Sequence, residues 1–327
     1  MFTLQKDPDR DFRVLNLTDP QLDDGDWAES RKGRKLLEYT VNSLVERTHP
    51  DLITVSGDIS YGGHETAYRG FGAFLNSFGI PWAFVFGNHD SQGGLEENEK
   101  AAKILTSYGK CLFEAGDCAL GCGNYVISIE QNGKPLHAFI MMDSHDRREY
   151  TDQSGGVCLA WSDVSPEQIG WYRDRIKELS ASGVKETTLI VHIPLYTYRA
   201  AAKAAFKEGL DLKTVPPFDG GQKGFFNEGY EGSFGVMYED VCSYPEDNGF
   251  FDVIKECNST KTVICGHDHA NSFAVTYKGV RLAYSLKTGM GCYWDPRLNG
   301  GTLLVIDKDG KLSAEHVFVD VAEFENN

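Results

Sequence analysis

The chain has 327 residues, with 48 Asp and Glu against 32 Lys and Arg, a formal charge of −16 at pH 7. At 41% hydrophobic and 24% charged residues, the composition can bury a core and argues against general disorder. The acidic balance disfavours nucleic acid as a partner, because no basic field covers the chain, and no apolar run of about 18 residues exists for a membrane span.

The first ninety residues alternate strand and helix patterns. Phe12–Thr18 reads as a buried strand, and Ser30–Thr48 carries apolar residues at helical spacing (Leu37, Val41, Leu44, Val45). Asp51–Ser56 is a second strand, His64–Phe78 a helix ended by Gly79 and Pro81, and Trp82–Phe86 a third strand. Such repeats predict a parallel sheet with right-handed crossovers. Further on, Asn124–Glu130 and Leu136–Asp143 flank a turn and predict a hairpin. Ser165-Pro166-Glu167-Gln168 is a helix start with a capping box, and the helix runs to about Ser180. Thr187–Val191 is another strand. Gly209–Gly249, rich in Gly, Pro, Phe and Tyr, reads as a functional loop or insertion. A strand at Lys261–Cys265, a hairpin over Ser272–Ser285 and strands near Thr302–Asp307 and Ala314–Val319 close the chain. Without a repeat or a low-complexity linker, one domain over 1–327 is expected.

The start, MFTLQKDPDRDF, has no apolar h-region, so a cytoplasmic location is expected. Eight cysteines without CxxC spacing favour reduced thiols, with Cys111, Cys118 and Cys122 the exception to watch.

Five segments put a metal-capable side chain just after a predicted strand. They are Asp19-Pro20-Gln21, Gly57-Asp58-Ile59-Ser60-Tyr61, Gly87-Asn88-His89-Asp90, Val191-His192-Ile193-Pro194 and Gly266-His267-Asp268-His269. Loops at the carboxyl ends of strands in an open α/β sheet are where ligands bind. The donors are carboxylate, amide and imidazole without thiolate, which favours Mn, Fe, Zn, Ni or Co over a Cys-based structural zinc. Seven or eight such donors exceed one tetrahedral ion and suit two ions sharing a bridge, the role given to Asp58. Two ions about 3.5–4 Å apart can clamp both oxygens of an in-line phosphoryl displacement and acidify a water between them.

This ordered set resembles the calcineurin-like metallophosphoesterase superfamily, with motifs D-x-H, GD, GNH[DE], a lone His and GHxH. The tail is similar to the purple-acid-phosphatase-like branch. The resemblance implies a four-layer α/β/β/α sandwich and a dimetal phosphoester hydrolase in which a metal-bridging hydroxide attacks phosphorus. Of two metal ions, both divalent or a mixed-valence pair, one would take Asp19, Asp58 and His269. The other would take Asp58, Asn88, His192 and His267. His89 would stand off the metals near the leaving-group oxygen, as general acid or transition-state stabiliser. Gln21 occupies the place where the family usually has His, and Tyr61 stands at the GD-x-x-Y spacing of the iron-binding tyrosine in purple acid phosphatases. Either one would complete the first site. A phosphomonoesterase acting on a small phosphorylated molecule is the first expectation. A phosphodiesterase for a cyclic nucleotide or phospholipid head group is the second, and a non-catalytic binding protein of this fold the third.

Other side chains have plainer readings. His64 reads as a helix-face residue, Asp143 as a strand-end residue and His145 as a group near the substrate or supporting a ligand. Phe225, Phe226, Tyr230 and Phe234 would line a cleft or form the insertion's own core.

Overall fold

Residues 1–28, 31–92, 95–217 and 222–325 are described in the computed structural model. The chain begins with β1 (Phe2–Lys6), β2 (Phe12–Leu17), α1 (Lys32–Thr48), β3 (Leu52–Ser56), α2 (Glu65–Ser77), β4 (Trp82–Val85), α3 (Leu95–Leu105) and β5 (Cys111–Leu112). It continues with β6 (Tyr125–Gln131), β7 (Lys134–Met141), β8 (Arg147–Thr151), β9 (Val157–Trp161), α4 (Pro166–Ser182), β10 (Glu186–Ile190) and α5 (Thr197–Ala205). The last elements are α6 (Phe250–Cys257), β11 (Thr260–Cys265), β12 (Ala274–Tyr277), β13 (Val280–Tyr284), β14 (Gly300–Ile306), β15 (Leu312–Phe318) and α7 (Val321–Glu325). Ser30, the expected start of the first helix, and residues 218–221 of the expected insertion lie outside the described residues.

Two large sheets form the body. One runs β15-β14-β2-β3-β4-β5, the other β1-β6-β7-β10-β11-β13-β12. β2, β3 and β4 are parallel neighbours, as are β10 and β11, so their carboxyl ends point the same way in each sheet. The seven-stranded sheet is apolar on both faces, as a sheet covered on both sides must be. Ile127, Phe139, Met141, Ile190 and Ile264 pack with the core residues of β2, β3 and β4, together with Leu37, Val41 and Leu44 of α1 and Phe71 and Leu75 of α2. Their alternates Val126, Ala138, Ile140, Leu189 and Val263 pack with Tyr172 and Ile176 of α4, Tyr198 of α5 and Ile254 of α6. The order is therefore helices, sheet, sheet, helices, the four-layer α/β/β/α sandwich. Each fully buried Leu, Ile or Phe contributes about 1.5–3 kcal/mol.

The capping box at the start of α4 is present, with Ser165 Oγ accepting from Gln168 N and the Gln168 side chain accepting from Ser165 N. The Gly209–Gly249 segment holds only short 3₁₀ turns among its described residues. It is tied down by bridges Phe206↔Phe226 and Phe234↔Ala274 and by Val215, Val236 and Tyr238 packing on Leu286 and Leu298. Its aromatics serve packing: Phe226 lies against Phe206 and Phe234 against His316. All eight cysteines are unpaired. No helix among the described residues is long and apolar enough to cross a membrane.

Candidate metal centre

The loops after β2, β3, β4, β10 and β11 converge where the two sheets meet. Backbone hydrogen bonds zip the first two together: Asp19 N donates to Gly57 O at 3.1 Å and Gln21 N to Asp58 O at 2.9 Å. Gly266 N donates to His192 O at 3.1 Å, which joins the loops of the other sheet. The contacts are too close for side chains at the motif glycines. A Cβ on Gly87 would stand 2.1 Å from Asp58 Oδ1, and one on Gly57 would stand 2.6 Å from His192 Nδ1. Asp19, Gln21, Asp58 and His267 all have positive φ, at 53°, 45°, 53° and 77°. Non-glycine residues rarely adopt this region, and such strain persists where surrounding structure holds it in place.

Asp19, Asp58 and His269 bring their ligand atoms within 4.8 Å of one another, and all three are buried. His269 Nε2 lies 3.3 Å from Asp19 Oδ1. His192 Nε2 lies 3.4 Å from Asp58 Oδ2 and 3.0 Å from Asn88 Oδ1. His267 packs edge-on to the His192 ring at 5.2 Å, and its backbone N donates to Asp19 Oδ2. Gln21 is in the group too, donating its amide to Asp58 Oδ2 at 2.7 Å. Tyr61 does not join them. It is 41% exposed, its backbone N donates to Leu22 O, and its ring stacks on His89 with centroids 4.4 Å apart.

Two histidines are aimed by backbone carbonyls. His192 Nδ1 meets Ser56 O at 2.7 Å and His269 Nδ1 meets Tyr293 O at 2.8 Å. Each contact turns Nε2 toward the carboxylates, the arrangement that orients metal-ligating imidazoles. His89 stands apart, half-buried, with Nδ1 2.6 Å from the Gln92 amide nitrogen. Only its backbone N touches the cluster, donating to Asp58 Oδ1 at 2.8 Å.

The donor set fits cations on the structure's own terms. Asp19 Oδ1 and Gln21 Oε1 are buried and make no hydrogen bond of good geometry, a cost that a bound cation would remove. The titration pattern agrees. Burial opposes charge on Asp19 and Asp58, yet His192 holds both carboxyls below their usual range, with His269 adding to the effect at Asp19. Burial would likewise lower His192, but Asp58 and Asp19 outweigh it and hold the imidazole up to about 10. The His192 proton is thus the cluster's internal counter-charge. Burial, reinforced by the His192 charge, lowers His267 to about 3. Lys287, donating to Asp19 O at 2.6 Å, is lowered to about 8 by burial against the pull of both carboxylates.

Further residues support the candidate donors. Asp90 accepts from Ile59 N, Ser60 N, Gly87 N and Tyr68 OH, and so pins the GD and GNHD loops together. Its place in GNHD was the available signal. Tyr293 lies on His269 with rings 4.2 Å apart, and Trp161 stands edge-on to His267 at 4.5 Å. A cavity of about 410 Å³ opens on the Gln21 side, lined also by Tyr61, Asp23, Asp26, Met290 and Cys292. His64 is the residue before α2, 3.3 Å from Asp23. Asp143 accepts from Cys122 N and His145 N, and the His145 ring meets Gln168 Oε1, so both serve the α4 junction.

The sequence profile of the calcineurin-like phosphoesterase family matches residues 12–271. Among curated proteins, "probable inactive purple acid phosphatase 14" of Arabidopsis thaliana is 28% identical over 285 residues, covering 78% of this chain and 64% of its own length. "Phosphatase DCR2" of Saccharomyces cerevisiae is 24% identical over 293 residues, covering 83% and 46%. The chain therefore spans about half to two thirds of the length of these relatives. Among solved structures, a dimetal phosphatase from Danio rerio superposes with a TM-score of 0.60 at 14% identity, over 95% of this chain and 98% of that one. Purple acid phosphatase PPD1 of yellow lupin gives 0.51 at 13% identity, over 96% and 55%. At these identities the two structures establish the fold.

Proposed function

The chain belongs to the calcineurin-like phosphoesterase family, and from that premise we propose that it is a two-cation phosphomonoesterase. The observation that carries this reading is the buried meeting of Asp19, Asp58 and His269 beside two unsatisfied oxygens, Asp19 Oδ1 and Gln21 Oε1.

Asp19, Asp58, His269 and Gln21 Oε1 would hold one cation, and Asp58, Asn88, His192 and His267 the other. Asp58 suits the shared position because its Oδ2 already lies between the Gln21 amide and His192 Nε2. Cations bound there supply Lewis acidity and an acidified water at neutral pH. The protein's own groups do the rest. The Ser56 and Tyr293 carbonyls keep Nε2 of His192 and His269 aimed inward. With Nδ1 accepting from the Gln92 amide, the neutral His89 ring presents Nε2–H as a hydrogen-bond donor to the departing ester oxygen, stabilising the charge that develops there. The Tyr61 ring fixes the plane of that imidazole. Burial lowers His89 while Asp58 pulls it upward; the net lowering favours the neutral ring, which donates a hydrogen bond to the leaving oxygen. Arg147, stacked on Trp161 beside His267, offers a cation outside the donor cluster and favours a dianionic monoester over a diester.

A second reading, a phosphoester-binding protein without turnover, is favoured by the names of the Arabidopsis relatives. The intact donor set and His89 favour hydrolysis. The test is metal-stripped protein reloaded separately with Mn, Fe, Zn, Ni and Co, then assayed on p-nitrophenyl phosphate and bis(p-nitrophenyl) phosphate. Turnover of the monoester with at least one metal supports the first reading. Tight metal binding without turnover of either ester supports the second.

A further inference from the structure

The β8–β9 hairpin belongs to neither large sheet. Its register pairs Arg147 with Trp161, Glu149 with Leu159 and Thr151 with Val157, so these six side chains share one face. The other face is only partly covered, with Cys158 exposed on it. Arg148 pairs with Asp163 at 2.7 Å and lies over the Tyr244 ring at 3.7 Å, and Tyr150 packs against Tyr244. The first face is open: Leu159 is 65% exposed and Val157 67%.

That open face begins at the metal centre. Trp161 stands edge-on to the His267 ring at 4.5 Å, and Arg147 lies 4.1 Å over the Trp161 ring. From Trp161 through Leu159 to Val157 an apolar strip runs outward for about 13 Å at the usual strand rise. The chemistry along it is ordered: imidazole and guanidinium at the inner end, indole next, exposed aliphatics at the outer end. An anionic head with an extended apolar tail matches that order in charge and polarity.

We propose that the open face of the hairpin is the platform for the non-phosphate part of the substrate, and that the substrate is a phosphomonoester carrying an extended apolar group. The proposal rests on the hydrolase reading for where the phosphate sits. Arg147 meets the phosphate at the inner end, and Leu159 and Val157 cover the tail.

The test compares decyl and ethyl phosphate as substrates, and decyl- and ethylphosphonate as ligands by calorimetry, all below micellar concentrations with metal-loaded protein. The expected preference for the decyl compounds is on the order of tenfold, for a tail that covers two aliphatic side chains. A Val157→Ser/Leu159→Ser double variant should lose most of that ratio, and Leu159→Met should keep it. Equal binding of the two phosphonates overturns the platform, and turnover of ethyl phosphate in that case leaves the hydrolase reading standing. Decyl preference in binding without turnover of any ester keeps the platform and removes the hydrolase. Sedimentation of a dimer that the double variant dissociates, or phosphatidylcholine–phosphatidylserine vesicle binding that it abolishes, would assign the face to another occupant and overturn the proposal.

Discussion

Gln21 donates its side-chain amide to Asp58 Oδ2 at 2.7 Å and by doing so leaves its own carbonyl oxygen buried without a partner. An unsatisfied buried acceptor costs about 1–3 kcal/mol, so this pair is arranged for something that takes that oxygen. If a cation does, Gln21→His should bind it more tightly, because imidazole is the better donor to borderline metals. We expect Kd for Zn or Co at the Gln21 site to fall about tenfold in Gln21→His and to rise about tenfold or more in Gln21→Leu. Titration calorimetry measures both, and equal Kd in all three proteins would remove Gln21 from the ligand set.

His89 touches the cluster only through its backbone. Alanine there should leave metal content intact while turnover falls by about 10²–10⁴. Gln92→Leu, which removes the partner of Nδ1, should lower turnover by about tenfold with little change in KM. Metal analysis and steady-state kinetics on both variants decide, and unchanged turnover in His89→Ala would remove His89 from the reaction.

The raised His192 sets the sign of a pH effect. Its value of about 10 in the fold lies above the ordinary 6.5, so its pairing with Asp58 and Asp19 stabilises the cation-free fold fully below about pH 6.5. That contribution fades as pH rises through about 10. A cation taking Nε2 must displace the proton. At pH 8 cation binding should therefore release about one proton per chain, seen by calorimetry in buffers of different ionisation enthalpy, and apparent affinity should increase with pH. Zero release would mean His192 is not displaced.

Gly87 and Gly170 make opposite cases. A methyl on Gly87 would collide with Asp58 Oδ1 at 2.1 Å, whereas a methyl on Gly170, inside α4, meets nothing within 4 Å. Gly87→Ala should destabilise by about 1–3 kcal/mol through overpacking and weaken metal binding. Gly170→Ala should stabilise by about 0.5–1 kcal/mol through backbone entropy. Denaturant unfolding of the two variants tests this, and equal effects would argue against the close approach at Gly87.

The parts legible in the sequence share a cause. β3 and β4 are buried throughout and β2 at all but Arg13, so short apolar runs mark them, and α4 announces itself by its capping box. The candidate donors follow strands in GD, GNHD and GHDH, where glycine precedes a crowded side chain. What stayed hidden depends on distant pairing. β1 gains its identity only by lying beside β6, over a hundred residues away. The β8–β9 hairpin is largely exposed and carries little periodicity. Tyr293 and Trp161 reach His269 and His267 across long stretches of chain. Tyr61 sits at a suggestive spacing, yet its ring lies on His89 while its backbone N donates to Leu22 O.

The central claim is that Asp58 is shared by two cations held between the sheets. The most direct measurement is metal stoichiometry by mass spectrometry on protein reloaded with Zn or Co, comparing wild type with Asp58→Asn, His269→Ala and His267→Ala. We expect two ions per chain in the wild type, near one in each histidine variant and close to none in Asp58→Asn. A single ion in the wild type, or two retained in Asp58→Asn, would contradict the shared site.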